Sequence, residues 1–228
     1  MPSRVLCLCA TILCLGATVQ ATPHLTPIGS SGEPSLASIL DSLYGAGNYV
    51  RVDDGADQWW TNLGSAGARA EAKYAGYGQN FGYVDGASAF HSLFTVNANG
   101  LMPGGLFSTF TPAESGNPFR WADLANGSAS NYWTSYEGDN VDPGTCLATT
   151  CVDHMVTFLV TTGASAGSYV IAFEDLRGNQ SPDRDFNDLV VEVQGAAPGP
   201  EPGMIGLLAL GLAALGRRAA NSRKEATR

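Results

Sequence analysis

Turn residues punctuate the middle of this chain, and helical periodicity is scarce. Only residues 35–44 read as a helix. Leu36, Ile39, Leu40 and Leu43 fall there at three- and four-residue spacing, and Pro34 just before them suits a helix start. After that the chain reads as strand. Tyr49–Val52, Arg69–Tyr77, Ala89–Val96, His154–Thr161, Tyr169–Glu174 and Leu189–Gln194 are strand candidates, separated by loops of Gly, Asn, Asp and Ser. Ala70, Ala72 and Tyr74 alternate with Arg69, Glu71 and Lys73, as a half-buried strand would. Val156, Phe158 and Val160 alternate with Thr157, Leu159 and Thr161 in the same way. The expected fold is mainly β: an antiparallel β-sandwich or jelly-roll-like domain with one short N-terminal helix.

Both ends read as processing segments. Arg4 precedes an apolar stretch from Val5 to Val19, and Val19-Gln20-Ala21 puts small residues where a signal peptidase reads them. Residues 1–21 therefore read as a signal peptide cut after Ala21. At the other end, Pro200-Glu201-Pro202 precedes an uncharged run from Gly203 to Gly216, then Arg217 and Arg218. Fourteen helical residues reach about 21 Å, short of a hydrocarbon core of about 30 Å. The run suits a transmembrane sorting helix better than a permanent anchor, with the arginines holding its end on the cytoplasmic side. The organisation is then signal peptide 1–21, β-sandwich domain 22–195, a Pro/Gly linker 196–202, and sorting helix with basic tail 203–228.

Charge and cysteines narrow the partners. Without both end segments, six of twelve basic residues and twenty of twenty-one acids remain, a net of −14 with histidines neutral. Such a surface argues against nucleic acid and favours divalent cations, or simply solubility outside the cell. Cys146 and Cys151 are the only cysteines beyond the signal peptide. In an exported chain they most simply form one disulfide. Its small loop contributes about 2 kcal/mol at most.

Chemistry concentrates between Phe173 and Val193. Five carboxylates (Glu174, Asp175, Asp183, Asp185 and Asp188) and Asn187 fall within fifteen residues. Unpaired, they repel one another. A hard cation such as Ca2+, with six to eight oxygen ligands, would neutralise them. The glycine and distal Glu of an EF-hand are absent. The alternative stays open that these residues cap turns and pair with Arg177 or Arg184.

Two resemblances follow from these residues. The ordered Pro200-Glu201-Pro202, short apolar helix and Arg217-Arg218 resemble the PEP-CTERM sorting signal of Gram-negative bacteria that make exopolysaccharide. That resemblance implies processing by an exosortase in the inner membrane. Phe173-Glu174-Asp175-Leu176, followed by Asp183-Arg184-Asp185-Phe186-Asn187-Asp188-Leu189-Val190, is similar to the domain of unknown function 4114 family. The similarity is specific over 153–193. It implies a β-rich fold and no established activity.

Nothing in the chain reads as an active site. His24, His91 and His154 are scattered, and Gly-x-Ser-x-Gly, His-Glu-x-x-His and phosphate-loop motifs are absent. Glu174 and Asp175 read as adjacent strand residues that point to opposite faces, so they cannot jointly flank one bond as a glycosidase pair would. The expectation is an exported, non-enzymatic protein of the cell surface or extracellular matrix with a structural calcium site. The alternative is a carbohydrate-binding module for exopolysaccharide, with Trp59, Trp60, Trp121, Trp133, Tyr132 and Tyr136 as a stacking face.

Overall fold

The computed structural model describes residues 32–127, 132–140, 153–177, 184–199, 211–213 and 215. The signal peptide with Ala21, the Cys146–Cys151 loop, Asp183, Pro200-Glu201-Pro202 and Arg217-Arg218 lie outside the described residues. Residues 211–213 and 215 are helical. Among the described residues no helix is long and apolar enough to cross a membrane.

The expected helix forms as α1 (Leu36–Tyr44), with the Ser35 hydroxyl accepting the Ser38 amide at 3.2 Å as its N-cap. Its apolar spacing buries Leu36, Ile39 and Leu40. The rest is an antiparallel sandwich. The larger sheet runs β1 (Tyr49–Arg51), β9 (Met155–Val160), β10 (Tyr169–Phe173), β11 (Leu189–Gly199) and β2 (Trp59–Lys73). Two short strands, β5 (Gly100–Leu101) and β6 (Phe107–Phe110), also pair with β2. The smaller sheet runs β4 (Phe90–Val96), β3 (Gln79–Val84), β7 (Arg120–Ala125) and β8 (Tyr132–Thr134). A single turn, α2 (Pro112–Ser115), precedes β7.

The central strands are buried on both faces. Inward residues Ala66, Ala68, Ala70, Ile171, Phe173, Leu189, Val191 and Val193 meet Phe81, Tyr83 and Trp121 of the smaller sheet. On the outer face, Val156, Phe158, Val170, Ala172 and Val190 are covered by Leu36, Ile39 and Leu40 of α1. Burying side chains of this size contributes roughly 1.5–3 kcal/mol each. The alternation read in β9 is therefore real, but neither side of it faces water along most of its length.

Two expectations need correction. Arg69–Tyr77 is only the end of β2, which begins at Trp59 and stops at Lys73. A register shift between Val190 and Val191 turns the strand over, so that Ala70 faces the inner core and Ala72 the outer one. Glu71 and Lys73 are consequently 5% and 1% exposed rather than solvated. The segment read as linker also begins as strand: Ala196 to Gly199 pair with Asn62 to Trp59.

Candidate functional site

Inside one end of the sandwich the core turns from apolar to acidic. β10 ends at Phe173, and the next two residues, Glu174 and Asp175, leave the strand. Strand alternation no longer separates them. They converge with Asp188, and one ligand oxygen of each lies within 4.8 Å of the others. The reading of Glu174 and Asp175 as facing opposite ways fails for that reason. Both are 2% exposed.

Backbone bonds hold this arrangement. Asp188 Oδ2 accepts the Asp175 amide at 2.7 Å, and Glu174 Oε1 accepts the Leu176 amide at 3.2 Å. The indole of Trp133 donates to the Asp175 carbonyl at 3.0 Å. Nδ1 of His154 lies 2.9 Å from the Glu174 carbonyl, and its ring stacks on Trp133 at 3.5 Å. His154 is thus a packed positioning residue within the fold.

The smaller sheet faces this cluster with two polar residues. Gln79 and Asp123 share strand parity with Phe81 and Trp121, which face the inner core. Both are fully buried, in positions where the strand pattern otherwise places aromatic residues. Gln79 Nε2 donates to Asp175 Oδ2, while Gln79 Oε1 accepts no hydrogen bond. Neither oxygen of Asp123 accepts one of normal geometry. Burial pushes the Asp123 carboxyl well above the ordinary carboxylate range, and the charge of Asp175 adds to the rise. Asp188 is raised by the same causes, burial first and then Asp175 and Glu174. Lys73 supplies one positive charge near Asp175, Asp188 and Asp123; burial lowers its pKa, against their pull. Its ammonium donates to the Ala75 carbonyl at 2.8 Å and to Asn99 Oδ1 at 2.6 Å.

Asp185 and Asn187 do something different. Asn187 Nδ2 donates to Asp185 Oδ2 at 2.7 Å and to the Pro34 carbonyl at 2.9 Å, tying this loop to the start of α1. Arg184 and Phe186 hold φ of 55° and 54°, a left-handed backbone that is costly for bulky residues. The loop is strained, and it aims Asp188 inward while Phe186 packs under α1. Of the six candidate ligands in the sequence, Glu174, Asp175 and Asp188 come together. Gln79 and Asp123 were not among the six. Their signal was a lone polar residue in phase with buried aromatics, in strands the turn pattern did not reveal.

The donor set is oxygen alone: the three convergent carboxylates of Glu174, Asp175 and Asp188, faced by Asp123 and the Gln79 amide. That suits a hard cation such as calcium or magnesium rather than zinc.

The tryptophans do not form a stacking face. Trp60, Trp121 and Trp133 are at most 1% exposed and fill the core. Trp59 packs on Tyr136 with Arg120 over its ring, and Tyr132 packs on Phe90.

Two family models match the chain. Residues 115–196 match a domain of unknown function, DUF4114, and residues 200–224 match the PEP-CTERM protein-sorting motif. The first match reaches back past 153 to include β7, β8 and Asp123, whereas Lys73 and Gln79 precede it. No curated protein matches the chain. The chain carries a DUF4114 domain, whose function is unknown, followed by a PEP-CTERM sorting motif, which implies export and processing by an exosortase.

Proposed function

We propose that this domain is a non-catalytic, exported sandwich whose two sheets are joined at one end by a calcium ion. Asp123 carries the reading. It is a fully buried carboxylate with neither oxygen accepting a hydrogen bond of normal geometry, facing Asp175 from the opposite sheet. Buried polar groups are almost always satisfied, so such a group asks for a partner. Glu174, Asp175, Asp188 and Asp123, with the Gln79 amide oxygen, would hold the ion. Its charge would replace the mutual repulsion of the carboxylates with attraction. Burial of Glu174 and Asp175 keeps a bulky substrate from both, which favours a structural role over catalysis. The sorting motif and the acidity favour residence at the cell surface or in the extracellular matrix. Exopolysaccharide is then a neighbour rather than a ligand of the tryptophans.

Differential scanning calorimetry of metal-stripped full-length protein tests this. Added calcium is expected to raise the melting midpoint by several degrees, with zinc having less effect. An unchanged midpoint in protein shown to be metal-free would sink the reading.

A further inference from the structure

Strand register leaves an opening in the outer face of the larger sheet. β6, β2 and β11 are neighbours there. One row across them reads Phe107, Arg69, Glu192; the next reads Thr109, Gly67, Gln194. Gly67 has no side chain to fill its place. The result is a cavity of about 420 Å³ bounded by Arg69, Phe107, Glu192 and Gln194, with Gly67, Gly104 and Gly105 as bare backbone. Helix α1 covers the adjoining part of this face, and its last residue, Tyr44, donates to Glu192 Oε2 at 3.2 Å.

The opening is built rather than incidental. Glu192 is 1% exposed and also accepts from Arg69 Nη2 at 2.9 Å, Ser165 Oγ at 2.9 Å and Gln194 Nε2 at 2.6 Å. Burial alone would raise the pKa of this carboxyl, but those partners outweigh it and hold the pKa low. A Cβ on Gly105 would stand 2.1 Å from the Ala70 carbonyl oxygen, so only glycine lets that loop lie against β2. A Cβ on Gly67 would stand 2.9 Å from the Phe107 ring, which remains 61% exposed.

The chemistry of the walls selects a ligand class. A guanidinium only donates and an amide both donates and accepts, while Glu192, buried and already accepting from four donors, holds Arg69 and Gln194 in place at the wall. Vicinal hydroxyls, each donor and acceptor, match that set. The open face of Phe107 suits the C–H side of a sugar ring. An anion is disfavoured, because Arg69 is already paired with Glu71 and Glu192 and the chain is acidic. A purely apolar ligand would strip water from these groups and return no hydrogen bonds. We propose that this opening binds a neutral hexopyranose unit of a glycan. It lies apart from the tryptophans and does not depend on calcium at the other site.

Full-length protein in a detergent without a sugar headgroup would be titrated with neutral gluco-, manno- and galacto-trioses, by calorimetry and saturation-transfer NMR. At least one is expected to bind. Phe107→Ala should weaken that binding about tenfold or more. Gly67→Thr, whose side chain would collide with the Phe107 ring and push it out of place, should abolish it. Both variants should keep the calcium-dependent melting of the parent. If Gly67→Thr fails to fold, Phe107→Ala decides alone. The proposal is overturned if none of the three sugars binds, if a galacturonate trimer binds more tightly than all of them, or if folded Phe107→Ala binds as well as the parent.

Discussion

Lys73 is the cation that the acidic end of the sandwich already carries. It is 1% exposed, and the charges of Asp175, Asp188 and Asp123 act on it directly. One positive charge does not balance four carboxylates, which is why burial and repulsion drive Asp123 and Asp188 toward the protonated form. Lys73→Met keeps the packing volume and removes the charge. Metal-free protein is expected to lose about 3–5 kcal/mol, the usual cost of removing one partner from a buried charge set. Calcium should then bind more tightly, because it no longer shares the carboxylates with an ammonium. Calcium titration followed by calorimetry checks both halves. Tighter binding without loss of metal-free stability, or the reverse, would show that Lys73 does not serve as the internal counter-charge. Sequence patterning could not find this residue's role. Lys73 sits one step past the register shift in β2, and only that shift turns it inward.

At the level of elements, β11 shows how composition misleads. Gly195, Pro198 and Gly199 look like linker, yet Ala196 to Gly199 pair with the start of β2. Gly195 makes this possible. Its φ is 68°, and a Cβ there would stand 2.3 Å from the Ser65 carbonyl oxygen. Gly195→Ala therefore meets both a left-handed backbone and a collision with backbone that cannot swing away. It should cost at least about 2 kcal/mol, or roughly 4 °C in a chain of this size, by thermal melting. An unchanged midpoint would mean that the end of β11 contributes nothing to the fold. The short strand β1 and the strands with apolar or β-branched runs, β4, β9, β10 and the first half of β11, were legible in the sequence, as was α1. β3, β5, β6, β7 and β8 were not. In β3 and β7 the inward apolar residues are interrupted by Gln79 and Asp123, which read as turn chemistry until Asp175 is found facing them from the opposite sheet. The site was half legible for the same reason: the Glu174–Asp188 segment is local in sequence, and the polar residues that face it across the sandwich are not.

Among the described residues a second buried acidic pair, distinct from the Glu174, Asp175 and Asp188 cluster, adds to the response of the whole molecule to pH. Asp57 and Asp153 are 1% and 4% exposed, and each keeps one oxygen without a hydrogen bond. Burial raises the Asp153 carboxyl to about 8, against the pull of the Met155 amide and with help from Asp54 and Glu137. Burial and then the charge of Asp153 push Asp57 well above its ordinary range. In the unfolded chain both titrate near 3.8. Between that value and the folded one, the folded state keeps protons that the unfolded state has lost. Stability from these groups is therefore complete below the unfolded pKa and is lost as pH rises through the folded pKa. Glu192 works the other way, since its lowered pKa costs stability only on the acid side. The net charge of the chain grows more negative over the same upward range, which adds self-repulsion. Stability in chelator should thus be greatest in mild acid and fall by a few kcal/mol between about pH 5 and pH 8. Asp153→Asn keeps an acceptor for the Met155 amide, which Asp153 Oδ1 now accepts at 2.9 Å, and removes the titration. It should make the profile shallower, with Asp57, Asp123 and Asp188 still titrating, and should not lower the midpoint at about pH 5. A midpoint that rises from pH 5 to pH 8 in the parent, or an equal slope in the variant, would show that Asp153 is not held protonated by the fold.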